Sequence, residues 1–360
     1  MWCGKRSPYC DPSEVSSVLV LMLHGIGDVI CSTPLVQGIR SWNPGCKITA
    51  VVRSDSETGI FGGKTQVDDF LTFDVHRSHS IREYIEFLWK IRKREFDLIV
   101  IDHATDRFKA PLLALWSGAK YRVGENDHIF SFIYTHAGVP DFSLHKVVNN
   151  WRILAAMGIH EKPEPTCYFD GNDRRKVRAL IKEAGVAVPD KLLVVHPGSG
   201  EAESHKRWPV RFFSQVVHFY RKHKDITVVL VGGSDEVALC RKILPQDDSH
   251  AVSLAGKLTL RETAALLADS CVVVGNDSGV LHIASAVGAR TISLFGPTVA
   301  PWTAPFKHTT VISKNLPCSP CYFSLPHGCG LPVCMELIEV SSVISAIDHV
   351  IKERYVQVNE

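Results

Sequence analysis

The sequence predicts an α/β protein made of two Rossmann-like, doubly wound domains that face each other across a cleft. The chain has 360 residues, which is more than one ordinary hydrophobic core accommodates. Short β-branched runs alternate with amphipathic segments, the pattern of a parallel sheet covered by helices. The alternation restarts after residues 159–172, which are rich in proline, glycine and charge and are typical of a domain linker.

Composition narrows the class of protein. Hydrophobic residues make up 45% of the chain and charged residues 22%, as in globular proteins with sizeable cores. The 40 basic and 38 acidic residues nearly cancel, so the charge does not indicate nucleic-acid binding. No apolar run reaches the roughly 18 residues of a membrane-spanning helix. Residues 1–17 lack the apolar core of a signal peptide, and we expect a cytoplasmic protein.

The first half supplies the elements of one sheet. Its β-branched runs contain few polar residues, as buried parallel strands do. We predict strands at residues 18–23, 48–52, 97–102 and 120–123, with helices at 29–41, 80–94, 111–118 and 145–157. Within the second of these helices, Ile81, Ile85 and Leu88 repeat at helical spacing, and its lysines and arginines indicate a solvated face.

The second half repeats the pattern. We predict strands at residues 192–196, 227–231 and 252–254, with helices at 174–184, 209–220, 260–268 and 336–354. A further helix follows Glu236. The most informative stretch, residues 272–297, contains a strand, a polar loop, an apolar helix closed by Gly288 and another strand at 291–295.

The polar loop of that stretch lies where an open α/β sheet binds its ligand. Ligands of such sheets lie beyond the carboxyl ends of the strands, and Asn276 and Asp277 follow directly after one. Ser278 and Gly279 can present free N–H groups at a helix N-terminus, which is a ready site for a phosphate. His282 lies about one helical turn further on.

A second polar turn, His24-Gly25-Ile26-Gly27-Asp28, follows the first strand. Its glycines allow the backbone to turn sharply. The turn departs from the G-x-G-x-x-G fingerprint, which argues against a dinucleotide-dependent oxidoreductase. Asp28 falls at a helix N-terminus. It is either a helix cap or a carboxylate that the helix keeps ionised and able to accept a proton.

Four motifs in order resemble a known family of enzymes. They are HGIGDVICSTPL (24–35), HPGSGEAESHKRWP (196–209), LAGKLTLRETAALL (254–267) and GNDSGVLHIASAVGARTISLFGPT (275–298). Together they resemble the glycosyltransferases of family nine, the bacterial ADP-heptose:lipopolysaccharide heptosyltransferases. The last motif is the most specific. The resemblance covers nearly the whole chain beyond residue 16 and implies a GT-B fold and an inverting, metal-independent transfer of the sugar.

The resemblance also implies a division of labour between the domains. We expect a flexible tail at residues 1–16, an acceptor-binding domain at 17–170 and a nucleotide-sugar-binding domain at 171–335 that includes a cysteine-rich loop at 316–334. The C-terminal helix at 336–360 is expected to pack back on the first domain, as terminal helices of GT-B folds often do.

By match to the family motifs, Asp28 is the general base and Lys206 a catalytic cation on the diphosphate. The donor-binding residues that the resemblance implies are Ser199, Gly200, Lys206, Glu236, Leu254, Gly256, Asp277, Ser278, Gly279 and His282. Local roles remain open for several of them. Taken alone, Lys206 is typical of a surface lysine and His282 of a buried core histidine. Asp277 alone is typical of a helix cap, and Glu236 of a negative charge at a helix N-terminus. Trp208 reads as a packing residue.

Basic residues of the first half are the candidates for contact with an anionic, phosphorylated core acceptor. They are Arg53, Lys64, Arg107, Lys109 and Arg122. No amphipathic anchor stands out in the sequence. We therefore expect any contact with the inner membrane to be peripheral and to pass through the substrate.

The cysteines near the C-terminus form a separate motif. Cys318, Cys321, Cys329 and Cys334 follow the pattern C-x2-C-x7-C-x4-C, and four close thiolates suit a structural zinc or iron ion. His327 is a possible substitute ligand. Four unbound thiols are the alternative. No cofactor is expected for catalysis.

The sequence therefore predicts an enzyme that transfers heptose from ADP-heptose to a lipopolysaccharide core. Two alternatives stay open at this stage. One is a family member with another acceptor, such as a protein or a secondary metabolite, or with another nucleotide-sugar donor. The other is an inactive nucleotide-sugar-binding protein on the same fold, which the presence of both Asp28 and Lys206 disfavours.

Overall fold

The computed structural model describes residues 9–62, 66–74, 80–106, 108–126, 130–186, 191–222, 225–321, 329 and 332–356. The chain divides into two compact units, residues 1–166 and 167–360. Each unit contains one six-stranded sheet whose strands are all parallel. The boundary falls four residues before the one predicted at 170. Within the described residues no helix is both long and apolar enough to span a membrane.

The first unit has its sheet in the order β3-β2-β1-β4-β5-β6. Its strands are β1 (Ser17–Met22), β2 (Lys47–Val52), β3 (Asp69–Thr72), β4 (Leu98–Ile101), β5 (Tyr121–Glu125) and β6 (His136–Gly138). Its helices are α1 (Ile26–Trp42), α2 (Ile81–Arg92), α3 (Lys109–Ser117) and α4 (Lys146–Ala156). Two short 3-10 helices, Pro12–Glu14 and Asp55–Ile60, complete its described elements.

The second unit has its sheet in the order β12-β11-β10-β7-β8-β9. Its strands are β7 (Leu192–His196), β8 (Thr227–Leu230), β9 (Ala251–Ser253), β10 (Val272–Asn276), β11 (Thr291–Phe295) and β12 (Thr309–Ser313). Its helices are α5 (Gly171–Glu183), α6 (Val210–Arg221), α7 (Val237–Ile243), α8 (Leu260–Asp269), α9 (Gly279–Ala286), α10 (Ala300–Thr303), α11 (Val333–Glu336) and α12 (Val340–Val356).

Both units have the same topology. In each, the first strand lies between the second and the fourth, which is the doubly wound Rossmann order. The connections therefore diverge between β1 and β4 in the first unit and between β7 and β10 in the second. This confirms the predicted fold class of two Rossmann-like parallel-sheet domains. The two switch points are where such folds bind their ligands.

Helix α1 accommodates a proline well inside its length. Pro34 has no N–H to donate to the carbonyl of Ile30, and the hydroxyl of Thr33 donates to that carbonyl instead, at 2.8 Å. One turn later, a Cβ on Gly38 would lie 2.6 Å from a methyl carbon of Leu154. The glycine thus allows α1 and α4 to pack closely, which matters because both helices carry residues of the site described below.

The end of the chain predicted as a flexible tail is ordered from Cys10 onward. Cys10 and Val15 are buried, and the Asn43 side chain donates to the carbonyls of Pro12 (2.9 Å) and Val15 (2.7 Å). The prediction was wrong for residues 10–16 because their contacts are with residues distant in sequence, which leave no local periodicity.

The structure also contains strands that the sequence analysis missed, namely β3, β6 and β12. All three are edge strands. β12 is mostly exposed or half-buried, and β6 has only three residues. Edge strands are covered on fewer sides, so they lack the continuous apolar run by which central strands are recognised.

Helix α12 belongs to the core of the second unit. Val343 and Ile347 are fully buried in a cluster with Trp208 and Phe213, and the Tyr220 hydroxyl donates to Asp348 at 2.7 Å. The apolar face of α12 therefore packs in the core of the second unit. The packing on the first domain that the resemblance implies stays a prediction.

We predict that Ile347→Ala lowers the free energy of unfolding of the second unit by about 2–5 kcal/mol, because it opens a cavity in a packed core. His349→Ala, on the exposed side of the same helix (side chain 73% exposed), is the control and should leave the unfolding temperature unchanged. Thermal or urea unfolding of both variants tests this. Equal effects would show that α12 is not part of that core.

Candidate active site

A buried carboxylate organises the carboxyl edge of the first sheet. Asp102 follows β4 and is completely enclosed. Its Oδ1 lies 2.9 Å from His24 Nε2, and its Oδ2 accepts from the Ser32 hydroxyl at 2.6 Å. The backbone N–H of Thr105 donates to Oδ1 at 3.0 Å, and the Thr105 hydroxyl also bonds that oxygen. Asp102 thereby ties the ends of β1 and β4 and the first turns of α1 together at the switch point.

His24 and Asp102 stabilise each other's charged form. Burial alone would lower the pKa of His24, but the charge of Asp102 and its hydrogen bond outweigh burial, and the pKa of His24 is raised. Burial would raise the pKa of Asp102, but His24, Ser32 and Thr105 together lower it. The pair is thus an ion pair held by hydrogen bonds on both carboxylate oxygens.

Asp28 lies in the first turn of α1 and is half-buried. Gly25 is the N-cap of that helix, so Asp28 is not the cap that the sequence analysis left as an alternative. Its carboxylate accepts a hydrogen bond of 2.5 Å from Lys146 Nζ on α4. Lys146 therefore compensates the charge of the candidate base, and the pair lies beside His24, whose charge Asp28 also favours.

Helix α4 positions a second side chain at the same edge. Asn150, one turn after Lys146, is buried. Its amide donates to the Cys31 carbonyl at 2.9 Å and its oxygen accepts from the His103 N–H at 3.0 Å. His103 in turn lies 2.5 Å from Glu125 at the end of β5. Sequence reasoning missed this set because α4 is more than 100 residues from Asp28. Only the strand-end position of Asp102 was visible in the sequence.

The predicted acceptor-binding residues are not gathered at one place. Arg53 follows β2, and its Nε lies 3.4 Å from Glu57. Arg122 donates to the carbonyls of Ala119 (2.8 Å) and Ile133 (2.7 Å). Ala119 precedes β5, so this guanidinium braces the amino end of the strand, away from the edge that bears Asp28.

Arg122 thus has structural contacts within the first unit, and its contact with an acceptor stays a prediction. Lys64 and Arg107 lie outside the described residues. Lys109 is exposed at the start of α3.

In the second unit, Asn276 joins the loops at the switch point. It is fully buried at the end of β10. Its amide donates to the carbonyl of Pro197 at 2.8 Å, and its oxygen accepts from the N–H of Trp208 at 2.8 Å. The loop after β7 is thus anchored at both ends to β10. Trp208 is buried in the core, as its interpretation as a packing residue predicts.

Lys206 is buried beside this anchor. Its Nζ lies 2.9 Å from Glu203 and 3.5 Å from Asp277, and all but 7% of the residue is covered. A buried ammonium requires such compensation. The interpretation as an ordinary surface lysine is therefore wrong. Asp277 and His282 are buried as well, on the loop and the helix that follow β10.

Two buried hydroxyls at this edge have no hydrogen-bond partner within the described protein. They belong to Ser278, the N-cap of α9, and to Thr298, after β11. A serine N-cap ordinarily accepts from the second or third N–H of its helix, but Ser278 makes no such bond. The first N–H groups of α9, starting at Gly279, also lack intrahelical partners. The loop therefore presents donors in a position suited to an anion.

Other predicted donor-binding groups are already used inside the protein. The Ser199 hydroxyl donates to the Glu203 carbonyl at 2.8 Å, and the Gly200 N–H points to Glu236 Oε1 at 3.3 Å. Glu236 is buried and also accepts from the Gly233 N–H at 3.0 Å. Glu236 thus holds the loops after β7 and β8 together, and the Ser199 hydroxyl and the Gly200 N–H both have partners within the protein. Their role in binding the donor stays a prediction.

The loop after β9 is similarly closed. The N–H of Leu254 donates to Leu230 and that of Gly256 to Gly232, both at 2.9 Å. Gly256 has a positive φ of +72°, a conformation that favours glycine. These two N–H groups therefore have partners within the protein. The loop lies at the carboxyl edge of the sheet, and the donor-binding role of Leu254 and Gly256 stays a prediction.

The structure does not assemble the predicted metal site. Among the described residues no group of three or more His, Cys, Asp or Glu side chains is arranged to hold a metal ion, and His327 lies outside them. The four cysteines are nevertheless neighbours. Burial raises the pKa of Cys334, and the charges of Cys321, Cys318 and Cys329 add to that effect. The N–H of Cys321 donates to the Pro297 carbonyl at 2.9 Å, which fixes it beside the end of β11.

Two Rossmann-like units with polar groups at both switch points are the architecture that the GT-B fold requires. Residues 85–325 match the model of glycosyltransferase family 9 (heptosyltransferase). Lipopolysaccharide heptosyltransferase 3 of Escherichia coli is 25% identical over 284 residues, which span 76% of this chain and 81% of that protein. The chain belongs to glycosyltransferase family 9.

Solved structures show the same fold. The structure of Escherichia coli ADP-heptose lipopolysaccharide heptosyltransferase II superposes with a TM-score of 0.74 at 18% identity, over 94% of this chain and 99% of that one. The dodecameric iron-containing heptosyltransferase TibC of Escherichia coli, in complex with ADP-D-beta-D-heptose, gives a TM-score of 0.55 at 13% identity, over 96% and 77% of the two chains. The predicted family and GT-B fold are thereby confirmed.

We predict that Asp102→Asn destabilises the first unit by about 3–5 kcal/mol near pH 6, because it breaks a buried ion pair. His24 has a raised pKa, so its contribution is complete below its unfolded value near 6.5 and is lost as the pH rises through the folded value. Asp102 has a lowered pKa, so its contribution is complete above about 3.8 and is lost as the pH falls through the folded value.

The stability difference between wild type and Asp102→Asn should therefore be largest between these limits and shrink toward alkaline pH. Urea unfolding from pH 4 to pH 9 measures it, with Asp55→Asn, an exposed position, as the control. A difference that stays constant up to pH 9 would mean that His24 is not charged in the folded protein.

Proposed function

We propose that this protein transfers heptose from ADP-heptose to a lipopolysaccharide core acceptor, with inversion at the anomeric carbon and no metal ion in the transfer step. Family membership supports heptosyl transfer. The observation that carries the finer assignment is the loop after β10. There an uncapped helix N-terminus and the unpartnered hydroxyl of Ser278 accompany the buried cation Lys206. This combination suits the diphosphate of a nucleotide-sugar.

The second unit would stabilise the leaving group. As the bond from the anomeric carbon to the diphosphate breaks, its electron pair passes to the phosphate oxygen and negative charge develops on ADP. Lys206 would neutralise part of that charge, and the α9 N-terminus with Ser278 would donate hydrogen bonds to it. These groups would supply the charge compensation that a metal ion provides in other transferases, which is the physical basis of the proposed metal independence.

Asp28 would act as the general base. Its carboxylate would take the proton of the acceptor hydroxyl as the hydroxyl oxygen forms the new bond to the anomeric carbon. The half-buried position of Asp28 at the carboxyl edge leaves it accessible to a substrate. Lys146, 2.5 Å away, would hold the carboxylate in place and keep it charged before the acceptor binds. The acceptor side of the proposal therefore belongs to the first unit.

We predict that Asp28→Asn lowers the rate of transfer about 100- to 10,000-fold, the usual contribution of a general base, and leaves binding of ADP-heptose intact. The measurement is ADP release with ADP-heptose and a panel of truncated lipopolysaccharide cores, with and without EDTA. Asp55→Asn is the matched control and should keep full activity. The anomeric configuration of the product, determined by NMR, tests inversion.

Each arm separates a different part of the proposal. Full activity of Asp28→Asn would remove Asp28 as the base, and loss of activity in EDTA would remove metal independence. If ADP-heptose binds but no core of the panel stimulates ADP release above the rate seen without a core, the acceptor is a different molecule. Lack of ADP-heptose binding would overturn the donor assignment.

A parallel prediction concerns Lys206. We expect Lys206→Gln to lower the transfer rate about 100- to 1,000-fold, because one preorganised group that stabilises the leaving diphosphate is lost. The matched control is Lys257→Gln, an exposed lysine on the loop after β9. Equal rates for both variants would assign Lys206 to loop structure alone.

We also propose that Cys318, Cys321, Cys329 and Cys334 bind a structural zinc or iron ion. The closeness of the thiols and the iron reported for the structurally similar TibC support this part of the proposal. Elemental analysis of the purified protein and of Cys318→Ser/Cys321→Ser tests it. About one equivalent of metal in the wild type and none in the variant is the expected result, and a metal-free wild type would contradict it.

A further inference from the structure

The first unit exposes a continuous apolar surface on two neighbouring helices. On α2 the exposed apolar side chains recur every four residues and therefore form a stripe on one side of the helix. Helix α3 contributes a second stripe, and the rings of Trp89 and Trp116 join the two edge-on, with centroids 5.7 Å apart. We call this surface the α2–α3 face; it consists of Ile81, Ile85, Trp89, Leu112, Leu115 and Trp116, which are 44–82% exposed.

A cavity of about 1150 Å³ opens on this face. It lies between α2 and α3, and its inner wall includes the buried side chains of Leu21, Phe73 and Phe87. The cavity reaches His24 and Thr105 at the carboxyl edge of the sheet. The apolar surface is therefore continuous with a deep groove that ends at the loop leading to Asp28.

Cations lie at both ends of the face. Arg92, at the end of α2, lines the groove and donates to the Trp116 carbonyl at 3.2 Å. Lys109, at the start of α3, lines it as well and forms no ion pair within the described part of the chain. Lys90 and Lys93 are exposed beside Trp89. The rim of the face is thus positively charged.

The nearby carboxylates have partners within the protein. Asp106 accepts from the N–H groups of Phe108 and Lys109 at 2.8 and 2.7 Å, directly before α3. Glu86 pairs with Arg82 at 2.7 Å, and Glu83 caps α2 by bonding Ser80. Lys90, Lys93 and Lys109 form no ion pair within the described residues, so their ammonium groups can meet an external anion.

We propose that the α2–α3 face docks this protein on the surface of an anionic lipid bilayer. Large apolar patches on a soluble surface mark interaction sites. Tryptophans favour the headgroup region, aliphatic side chains the acyl boundary, and lysines and arginines the anionic headgroups. This pattern, and the positive rim in particular, matches an anionic bilayer better than an uncharged partner. The inference depends only on the exposed side chains. It differs from the expectation that any contact of the protein with the inner membrane passes through the substrate.

The docking surface is tested by cosedimentation of the full chain with vesicles, in the absence of donor and acceptor. We expect binding to phosphatidylethanolamine–phosphatidylglycerol vesicles (3:1) and much weaker binding to phosphatidylcholine vesicles. Binding should weaken in 0.5 M salt, because surface charges are then screened. The variant Ile85→Glu/Leu115→Glu should partition at least tenfold less.

Matched controls separate this surface from general stickiness. Leu337→Glu changes a residue of similar exposure, 46%, in the second unit and should bind vesicles like the wild type. Lys90→Glu/Lys93→Glu should lose binding to the anionic vesicles only. All the substituted side chains are exposed, so each variant is expected to fold. Its unfolding temperature checks this.

Three results would overturn the proposal. The first is a wild type that does not bind anionic vesicles. The second is an Ile85→Glu/Leu115→Glu variant that binds them as well as the wild type does. The third is a wild-type oligomer that dissociates in this variant, because the face would then pack against a second copy. None of these results depends on sugar transfer, so failure here leaves the proposed function standing, and failure of the transfer assay leaves the docking surface standing.

Discussion

The parallel pairing of strands is the constraint on which the rest of this structure depends. Central strands such as β1 and β10 are covered on both faces, and almost every residue along them is buried. Charged side chains cannot be placed along such strands without large desolvation costs. They collect where the strands end, and the switch points between β1 and β4 and between β7 and β10 leave room for them. The candidate site residues of both units follow from this one requirement.

The two units meet that requirement in different ways. The first unit holds its strand ends together with charge, through Asp102 and His24, and places a second ion pair, Asp28 with Lys146, beside them. The second unit uses a neutral amide, Asn276, whose hydrogen bonds to the two ends of the loop after β7 do not titrate. Its cation, Lys206, lies close to the uncapped N-terminus of α9. A half-buried carboxylate such as Asp28 suits proton transfer, and a helix N-terminus beside a cation suits an anion. This difference fits the proposed assignment of acceptor and donor to the two units.

Helices α2 and α3 have two faces with different partners. Their inner residues, such as Phe87 and Ile91, pack on the sheet, while the outer residues of the α2–α3 face remain in contact with water in the isolated protein. Leaving large aliphatic and aromatic side chains exposed is unfavourable unless something covers them. The groove behind them leads toward His24. Docking of this face would therefore bring the carboxyl edge of the first sheet near the membrane surface, where a lipid-linked acceptor would be found.

The order of the strands and helices, the family and the carboxyl-edge position of Asp28, Asn276, Asp277 and Ser278 were all legible in the sequence. They depend on local patterns, namely apolar runs, helical periodicity and polar residues at strand ends. Such patterns are formed by residues that are close together in the sequence. The edge strands β3, β6 and β12 escaped because partial exposure weakens that local pattern.

Tertiary packing decided which groups meet. Lys146 reaches Asp28 across 118 residues, Glu236 is enclosed by the glycine-rich loops, and Arg122 turns to the opposite edge of its sheet. Helix α2 shows the limit most clearly. Its apolar residues lie on more than one side at helical spacing, and periodicity alone cannot tell which side packs on the sheet. The packing of the whole helix against β4 and α3 determines which side is buried. The free energy of burial depends on the surface that covers the apolar residues and not on their spacing along the helix.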